Sequence, residues 1–217
     1  RRFTMVEIYS KIDKTELAEL PKVEFTGAIK IIDSVEKADA AIAELSQYSV
    51  VGFDTETKPS FKRGVTNKVS LLQLATDQVA YLFRLHLIGI TDSIVNFLQN
   101  EKILKIGISV RDDFQALRKK REIEPKGFVE IQEIAARMGI DDRSLQKIYA
   151  LLFRERISKS QRLSNWELET LTESQMQYAA IDAWATIKIY RYLKQIIDEK
   201  NFKVIHRDAE ESIAKEG

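Results

Sequence analysis

The stretch Val50-Val51-Gly52-Phe53-Asp54-Thr55-Glu56-Thr57 has the pattern of a buried β-strand that ends in two acidic residues. Because side chains two positions apart lie on the same face of a strand, Asp54 and Glu56 are predicted to project together from the rim of an apolar wall. Two like charges held that close repel each other unless a cation lies between them, and hard divalent cations prefer oxygen ligands. The pair therefore predicts either a metal site or a solvated strand end, and residues elsewhere in the chain distinguish the two.

Composition limits the kind of metal site that the chain can form. The 217 residues include 44% hydrophobic and 31% charged residues, which is typical of a soluble globular protein. There is no cysteine and there are only two histidines, so disulfides and thiolate sites are excluded and any metal must be held by oxygen. The absence of cysteine also fits a reducing compartment, and we expect a cytoplasmic protein.

Charge and hydropathy exclude further classes of protein. No run of about 18 apolar residues and no apolar N-terminal signal region occur, which predicts no membrane association and no export. The net charge of +1 does not by itself indicate nucleic-acid binding. Carboxylates gathered around metals would, however, leave the remaining surface more basic than the total implies. The chain begins at Arg1 rather than Met, which leaves room for an additional domain or a partner protein.

Hydrophobic periodicity and turn residues predict an α/β fold. The predicted strands cover residues 25–32, 50–57, 69–75, 78–83, 103–107 and 128–131, with a hairpin turn at 76–77. The predicted helices cover residues 14–20, 35–46, 92–98, 112–121, 132–138, 144–153 and 172–197. An early hairpin followed by alternating strands and helices predicts a mixed sheet. Since no linker interrupts the pattern, we expect a single domain over 1–217 with its core at about 25–197 and flexible ends, including a frayed tail from Asn201.

Further acidic residues occupy positions where sites form. Asp112 and Asp113 follow a buried strand as it turns into a helix, and only one of the two can readily face the sheet edge. Tyr178 and Asp182 lie four residues apart and share one helix face. An unpaired Asp182 buried among its apolar neighbours would cost several kcal/mol, and a metal would relieve that cost. Taken singly, each pattern is equally compatible with a helix cap, a solvated carboxylate or a core tyrosine.

In chain order these positions resemble the DEDDy 3′–5′ exonucleases, the relatives of ribonuclease D and of the Werner-syndrome-type exonuclease domain. The segment 53–56 is similar to their first motif, Asp113 to their second and the segment 178–182 to their third. The segments 61–64, 68–74, 144–153 and 162–166 are also similar to the Werner-type subfamily. Thr57 and Arg111-Asp112 depart from the common pattern, but neither departure removes an acidic residue.

The resemblance implies a ribonuclease H-like mixed β-sheet flanked by α-helices. It also implies a metal-dependent 3′–5′ exonuclease that removes nucleoside 5′-monophosphates from the 3′ end of nucleic acid, with DNA favoured over RNA. Two divalent cations, Mg²⁺ or Mn²⁺, would assist the hydrolysis, and Tyr178 would orient the attacking water. The implied metal ligands, which are also catalytic residues, are Asp54, Glu56, Asp113 and Asp182. The alternatives are a non-catalytic nucleic-acid-binding module on the same fold and an RNA-directed processing enzyme similar to ribonuclease D.

Four residues are predicted to contact the substrate. Arg162 would bind backbone phosphate, because phosphates favour Lys and Arg, and the resemblance places it beside the cleft. Phe61 and Trp166 would stack on unpaired bases, although Trp166 could instead support the last helix. Thr55, between the two carboxylates of the first motif, completes the set.

Overall fold

The computed structural model describes residues 4–208. The strands are β1 Val6–Tyr9, β2 Ala28–Ile32, β3 Val50–Glu56, β4 Leu71–Ala75, β5 Val79–Arg84, β6 Leu104–Gly107, β7 Phe128–Glu130 and β8 Phe202–Ile205. The helices are α1 Lys14–Glu19, α2 Val35–Leu45, α3 Leu85–Ile88, α4 Asp92–Leu98, α5 Val110–Arg118, α6 Ile131–Met138, α7 Leu145–Phe153 and α8 Glu173–Glu199. In this part of the chain, no helix is both long and apolar enough to cross a membrane.

Six strands form one mixed sheet in the order β2-β5-β4-β3-β6-β7. The consecutive strands β3, β4 and β5 pair antiparallel, whereas the remaining pairs in this sheet are parallel. β3 therefore lies in the interior of the sheet between β4 and β6. A central strand is buried on both faces, which explains why the segment from Val50 to Phe53 is apolar.

The sheet lies between two layers of helices. One hydrophobic cluster joins α2, α4 and α5 to one face of the sheet and includes Phe53. A second joins α6, α7 and α8 to the opposite face and includes Ile106. Alternation along β3 accordingly directs Gly52, Asp54 and Glu56 towards α8 and directs Phe53 and Thr55 towards α5.

The long helix α8 begins at a capping box. The Thr172 hydroxyl accepts a hydrogen bond from the Gln175 backbone N–H, and the Gln175 side chain accepts one from the Thr172 N–H. These two bonds satisfy backbone donors that would otherwise be unpaired at the first turn. The box fixes where α8 starts and therefore which of its residues reach the end of β3.

Most predicted elements are confirmed, including the hairpin of β4 and β5. The helix predicted to begin at residue 112 begins at Val110 instead. The prediction of a frayed tail is wrong for residues 202–205, because β8 pairs parallel with β1. β1 and β8 have only four residues each, too few for a recognisable alternation of apolar and polar side chains. The two strands also lie about 200 residues apart in the sequence, so no local pattern indicates that they pair. Residues 1–3 and 209–217, which were also predicted to be flexible, lie outside the described residues.

Candidate active site

Three carboxylates converge where β3 ends against α8. Asp54 and Glu56 come from β3 and Asp182 comes from α8. Each contributes one carboxylate oxygen to a group in which all of these oxygens lie within 4.8 Å of one another. Residues 126 positions apart in the chain, 56 and 182, thus present oxygen ligands to one small volume.

Close packing between β3 and α8 brings the carboxylates together. A Cβ atom added to Gly52 would lie 2.0 Å from the Ala183 carbonyl oxygen, so only glycine permits this approach. The Thr186 hydroxyl donates a 2.8 Å hydrogen bond to the Ile106 carbonyl and holds the same helix against β6. Asp182 directly precedes Ala183, and Asp54 lies two residues beyond Gly52 on the same face, so this contact sets their distance.

Burial makes the cluster unfavourable without a counter-charge. Desolvation and the charge of Asp182 raise the pKa of Asp54 well above its usual range. Desolvation raises the pKa of Asp182 to about 8, although a hydrogen bond from the Tyr178 side chain opposes the rise. Within the described part of the chain, Asp182 Oδ1 is buried with no hydrogen-bond donor. An all-oxygen donor set with an unpaired buried oxygen fits a hard divalent cation.

The remaining predicted ligand, Asp113, comes from the opposite layer and is not one of the three residues whose oxygens group within 4.8 Å. It lies in the first turn of α5 and accepts a 2.5 Å hydrogen bond from the Thr55 hydroxyl. Burial and the charge of Asp54 raise the pKa of Asp113 to about 8, and the hydrogen bond from the Thr55 side chain opposes the rise. Its neighbour Asp112 is exposed, which agrees with the prediction that only one of the pair faces the sheet edge.

Tyr178 lies against the carboxylates and is only 7% exposed. Burial and the charges of Asp182, Glu56 and Asp54 raise the pKa of its phenol. The hydroxyl therefore stays protonated near neutral pH and acts as a hydrogen-bond donor. Its ring packs on the Trp166 ring at a centroid distance of 5.8 Å, which fixes its orientation.

The predicted substrate contacts divide into exposed and buried residues. Phe61 is 86% exposed, and Arg162 is exposed and close enough to Tyr178 to lower the pKa of its phenol. Trp166 is 0% exposed, so the prediction that it stacks on a base is wrong and it supports Tyr178 instead. The Thr55 hydroxyl, also predicted to contact substrate, is engaged by Asp113.

One residue of the site was missed by the sequence analysis. Gln73 lies opposite Asp54 in the β3–β4 register, and a hydrogen bond from its side chain lowers the pKa of Glu56. Its Nε2 also donates a 3.4 Å hydrogen bond to the Ala179 carbonyl of α8. The available signal was a single polar residue within the otherwise apolar strand 71–75.

Two clefts are lined in part by the helices that carry the predicted site residues, one by α8 and one by α5. A cleft of about 330 Å³ beside Tyr178 is lined by residues that include Lys22, Ser158, Ser160 and Ser174. A larger cleft of about 610 Å³ lies beside α5 and is lined by residues that include Arg111, Asp112 and Arg143.

The model of the 3′-5′ exonuclease family matches residues 29–198, which is most of the chain and includes all four carboxylates and Tyr178. The chain belongs to the 3′-5′ exonuclease family. The mouse bifunctional 3′-5′ exonuclease/ATP-dependent helicase WRN is 30% identical over 209 residues, covering 91% of this chain and 15% of that protein. An Arabidopsis thaliana 3′-5′ exonuclease is 30% identical over 177 residues, covering 78% of this chain and 59% of that protein. This exonuclease-family chain therefore spans less than two thirds of these relatives.

Solved structures share the fold of this exonuclease-family chain. The EXO domain of Aedes aegypti Nibbler superposes with a TM-score of 0.72 at 22% identity, covering 81% of this chain and 91% of that one. Escherichia coli RNase D gives a TM-score of 0.70 at 20% identity, covering 79% of this chain and 45% of that one. These likenesses confirm the predicted ribonuclease H-like mixed sheet with flanking helices.

Proposed function

We propose that this chain is a metal-dependent 3′–5′ exonuclease that hydrolyses the terminal phosphodiester of a nucleic acid and releases a nucleoside 5′-monophosphate. The observation that carries the proposal is the convergence of the Asp54, Glu56 and Asp182 oxygens within 4.8 Å of one another. A buried cluster of carboxylates at a sheet end is unfavourable by itself, and divalent cations relieve the repulsion. Asp54, Glu56 and Asp182 would hold one Mg²⁺ or Mn²⁺, and Asp54 with Asp113 would hold a second.

The chain's own residues supply orientation and charge. When bound, two divalent cations stabilise the charge on the phosphoryl oxygens and lower the pKa of the attacking water. The protonated Tyr178 phenol donates a hydrogen bond to that water and directs its oxygen at phosphorus. A new P–O bond forms as the bond to the 3′ oxygen of the preceding nucleotide breaks, and a proton ends on that leaving oxygen. The products are a nucleoside 5′-monophosphate and a strand one nucleotide shorter.

The loop between β3 and β4 is suited to contacting the strand leading to the cleavage site. Residues 58–68 contain four Lys or Arg residues and no Asp or Glu. The Asn67 amide fixes the base of the loop by donating to the Lys58 and Pro59 carbonyls at 2.8 and 3.3 Å. Phe61 then projects as an exposed ring able to stack on a base, and neighbouring basic residues can neutralise phosphates. Arg162 lies on the Tyr178 side of the site and is available to a phosphate.

DNA is the favoured substrate because the segments 61–64, 68–74, 144–153 and 162–166 resemble the Werner-type subfamily. The competing hypothesis of a non-catalytic binding module predicts that ligands have been lost. All four carboxylates and Tyr178 are present, and the oxygens of Asp54, Glu56 and Asp182 lie within 4.8 Å of one another, which favours the enzyme. The second alternative is an RNA-directed processing enzyme. Comparing the rates of DNA and RNA cleavage distinguishes it from a DNA-directed exonuclease.

The proposal is tested with 5′-labelled single-stranded DNA and RNA oligonucleotides of the same sequence, incubated with the protein in Mg²⁺ or Mn²⁺. We expect a ladder that shortens from the 3′ end, release of nucleoside 5′-monophosphates, faster cleavage of DNA, and no cleavage in EDTA. The matched control is the double variant Asp54→Asn/Asp182→Asn, which should fold and be inactive. No shortening of either substrate by the wild-type protein would overturn the proposed function, and faster cleavage of RNA would favour the processing enzyme.

A further inference from the structure

We propose that Thr55 is a positioning residue that holds the Asp113 carboxylate in place for metal binding, an inference that rests on the proposed metal-dependent hydrolysis. From its place in the sequence, Thr55 was predicted to contact the substrate. The geometry points instead to a structural link between the first acidic motif and the third ligand along the chain, Asp113. The link is the 2.5 Å hydrogen bond from Thr55 Oγ1 to Asp113 Oδ1.

The link is needed because the ligands come from opposite faces of the sheet. Asp54 and Glu56 face α8, together with Asp182, whereas Thr55 faces α5. On the face of the sheet that α5 covers, the ring centroids of Phe53 and Phe114 lie 6.4 Å apart. Asp113 directly precedes Phe114, so its side chain must pass around the end of β3 to reach the other carboxylates. Thr55 is the β3 residue whose side chain faces it there.

Asp113 has reason to turn away from the cluster if nothing holds it. The neighbouring acidic residues Asp54, Asp112 and Glu130 repel its carboxylate. Among residues 4–208, the Thr55 hydroxyl supplies the only hydrogen bond to the Asp113 carboxylate. With a cation bound, Asp113 would be ionised, and a hydrogen bond to a charged oxygen is roughly twice as strong as a neutral one and fixes one side-chain orientation.

The backbone at the start of α5 is held by residues other than Thr55. Thr55 therefore affects the Asp113 side chain and not the position of the helix. Ser109, the residue before α5, adopts a left-handed conformation with φ 55°. The Gln132 side chain donates a 3.2 Å hydrogen bond to its hydroxyl. The hydrogen bond between Gln132 and Ser109 anchors the backbone at the start of α5. It does not fix the side-chain conformation of Asp113, which depends on the hydrogen bond from Thr55. Since Thr55 occupies Oδ1, the second oxygen, Oδ2, is left for a cation or its bound water.

The test compares Thr55→Val, which removes the hydroxyl but keeps the branched shape, with Thr55→Ser, which keeps the hydroxyl. The readout is Mn²⁺ binding to the free protein, measured by electron paramagnetic resonance of the unbound ion, so no turnover is needed. Removing a residue that orients a metal ligand typically weakens metal binding by about 10–100-fold. We expect Thr55→Val to lower the Mn²⁺ affinity of the weaker of the two metal sites by about tenfold. Thr55→Ser should bind Mn²⁺ with the affinity of the wild type. If the added methyl group of Thr55→Val crowds Asp113, Thr55→Ala removes the hydroxyl without that contact, and its Mn²⁺ binding is measured in the same way.

A double-mutant cycle shows whether Thr55 acts through Asp113. In an Asp113→Asn background, Thr55→Val should cause no further loss of Mn²⁺ affinity, because the group that it positions is already altered. Equal losses in both backgrounds, or unchanged Mn²⁺ binding by Thr55→Val, would overturn the inference while leaving the proposed function intact. Absence of Mn²⁺ binding by the wild-type protein would instead overturn the proposed function and this inference with it.

Discussion

At the scale of single residues, the Tyr178 phenol is a hydrogen-bond donor rather than a base. Burial and three neighbouring carboxylates raise its pKa, so the proton stays on oxygen throughout the neutral range. Removing a single preorganised donor of this kind typically costs about 10²–10³-fold in rate. We predict that Tyr178→Phe lowers the rate constant for nucleotide release by about 10²-fold, measured on single-stranded DNA under single-turnover conditions.

Mn²⁺ affinity provides the control for Tyr178→Phe. Because the phenol is not a ligand in this account, the variant should bind Mn²⁺ as the wild type does and should melt at a similar temperature. A rate equal to that of the wild type would show that the hydroxyl plays no part in the reaction.

The pKa of Asp182 makes the stability of the metal-free protein dependent on pH. The folded protein holds this proton up to about pH 8, whereas an unfolded Asp releases it near its ordinary value of about 4. Between these values the folded state binds more protons, so this group makes stability fall as pH rises. We predict that Asp182→Asn becomes more stable relative to the wild type as the pH rises from 5 to 8 in EDTA, by up to about 4 kcal/mol, since each of the three pH units contributes about 1.4 kcal/mol.

Thermal unfolding followed by circular dichroism at the two pH values measures this difference. Added Mn²⁺ should raise the Tm of the wild type at pH 8 and have a smaller effect on Asp182→Asn. An identical pH dependence for the two proteins would mean that Asp182 is not a buried titrating group.

At the scale of secondary-structure elements, the contact between β3 and α8 determines whether the site forms. A Cβ on Gly52 would lie 2.0 Å from the Ala183 carbonyl oxygen, which is backbone and cannot move aside without shifting the helix. We predict that Gly52→Ala destabilises the fold by about 1–3 kcal/mol. It should also slow cleavage by about 10²-fold, because displacement of Asp182 by even 1 Å misaligns the ligands.

Gly64→Ala is the matched control for Gly52→Ala. An added Cβ at Gly64 meets no atom within 4 Å, so the only cost comes from its positive φ of 76°. This variant should retain its Mn²⁺ affinity. Full activity and unchanged Mn²⁺ binding in Gly52→Ala would contradict the role given to the β3–α8 contact.

The elements that the sequence predicted are those with a complete local pattern. Alternation placed Asp54 and Glu56 on one face of β3, and helical spacing placed Tyr178 and Asp182 together on α8. Lys105 shows the limit of such patterns. It lies within an apolar strand and would be expected at the surface, yet it is 0% exposed and donates hydrogen bonds to the Phe97 and Asn100 carbonyls. Those acceptors belong to the preceding helix and turn, whose position the local pattern does not give.

Contacts between distant segments explain what the sequence did not predict at the site. Trp166 stands in a polar stretch that suggested a surface aromatic, but the approach of Tyr178 from α8 buries it. Thr55 looked available to substrate because nothing in its neighbourhood along the chain indicated the hydrogen bond to Asp113, which lies 58 residues away. Tertiary packing therefore places Trp166 against Tyr178 and Thr55 against Asp113, and no local pattern indicated either contact.

At the scale of the whole molecule, the small sheet of β1 and β8 joins the two ends of the described chain. Val6 pairs with Phe202 and Tyr9 with Ile205, and Ile8 is buried beneath them. We predict that Val204→Asp, which places a charge against the second hydrophobic cluster, lowers stability by about 2 kcal/mol and Tm by roughly 4–8 °C. Lys203→Asp, at an exposed position of the same strand, should change Tm little.

Mn²⁺ affinity separates stability from function in this comparison. The β1–β8 pair contributes no residue to the carboxylate cluster, so Val204→Asp should bind Mn²⁺ normally at temperatures where it is folded. Equal Tm values for Val204→Asp and Lys203→Asp would show that β8 does not pack against the domain as described.

The most direct test of the account is the location of divalent cations in a crystal of the protein soaked with Mn²⁺, read from the anomalous scattering of the metal. We predict an anomalous peak bounded by carboxylate oxygens of Asp54, Glu56 and Asp182, with a second on the Asp113 side. Absence of any peak at the end of β3 in wild-type crystals, under conditions where Mn²⁺ appears elsewhere on the protein, would contradict the metal-dependent mechanism.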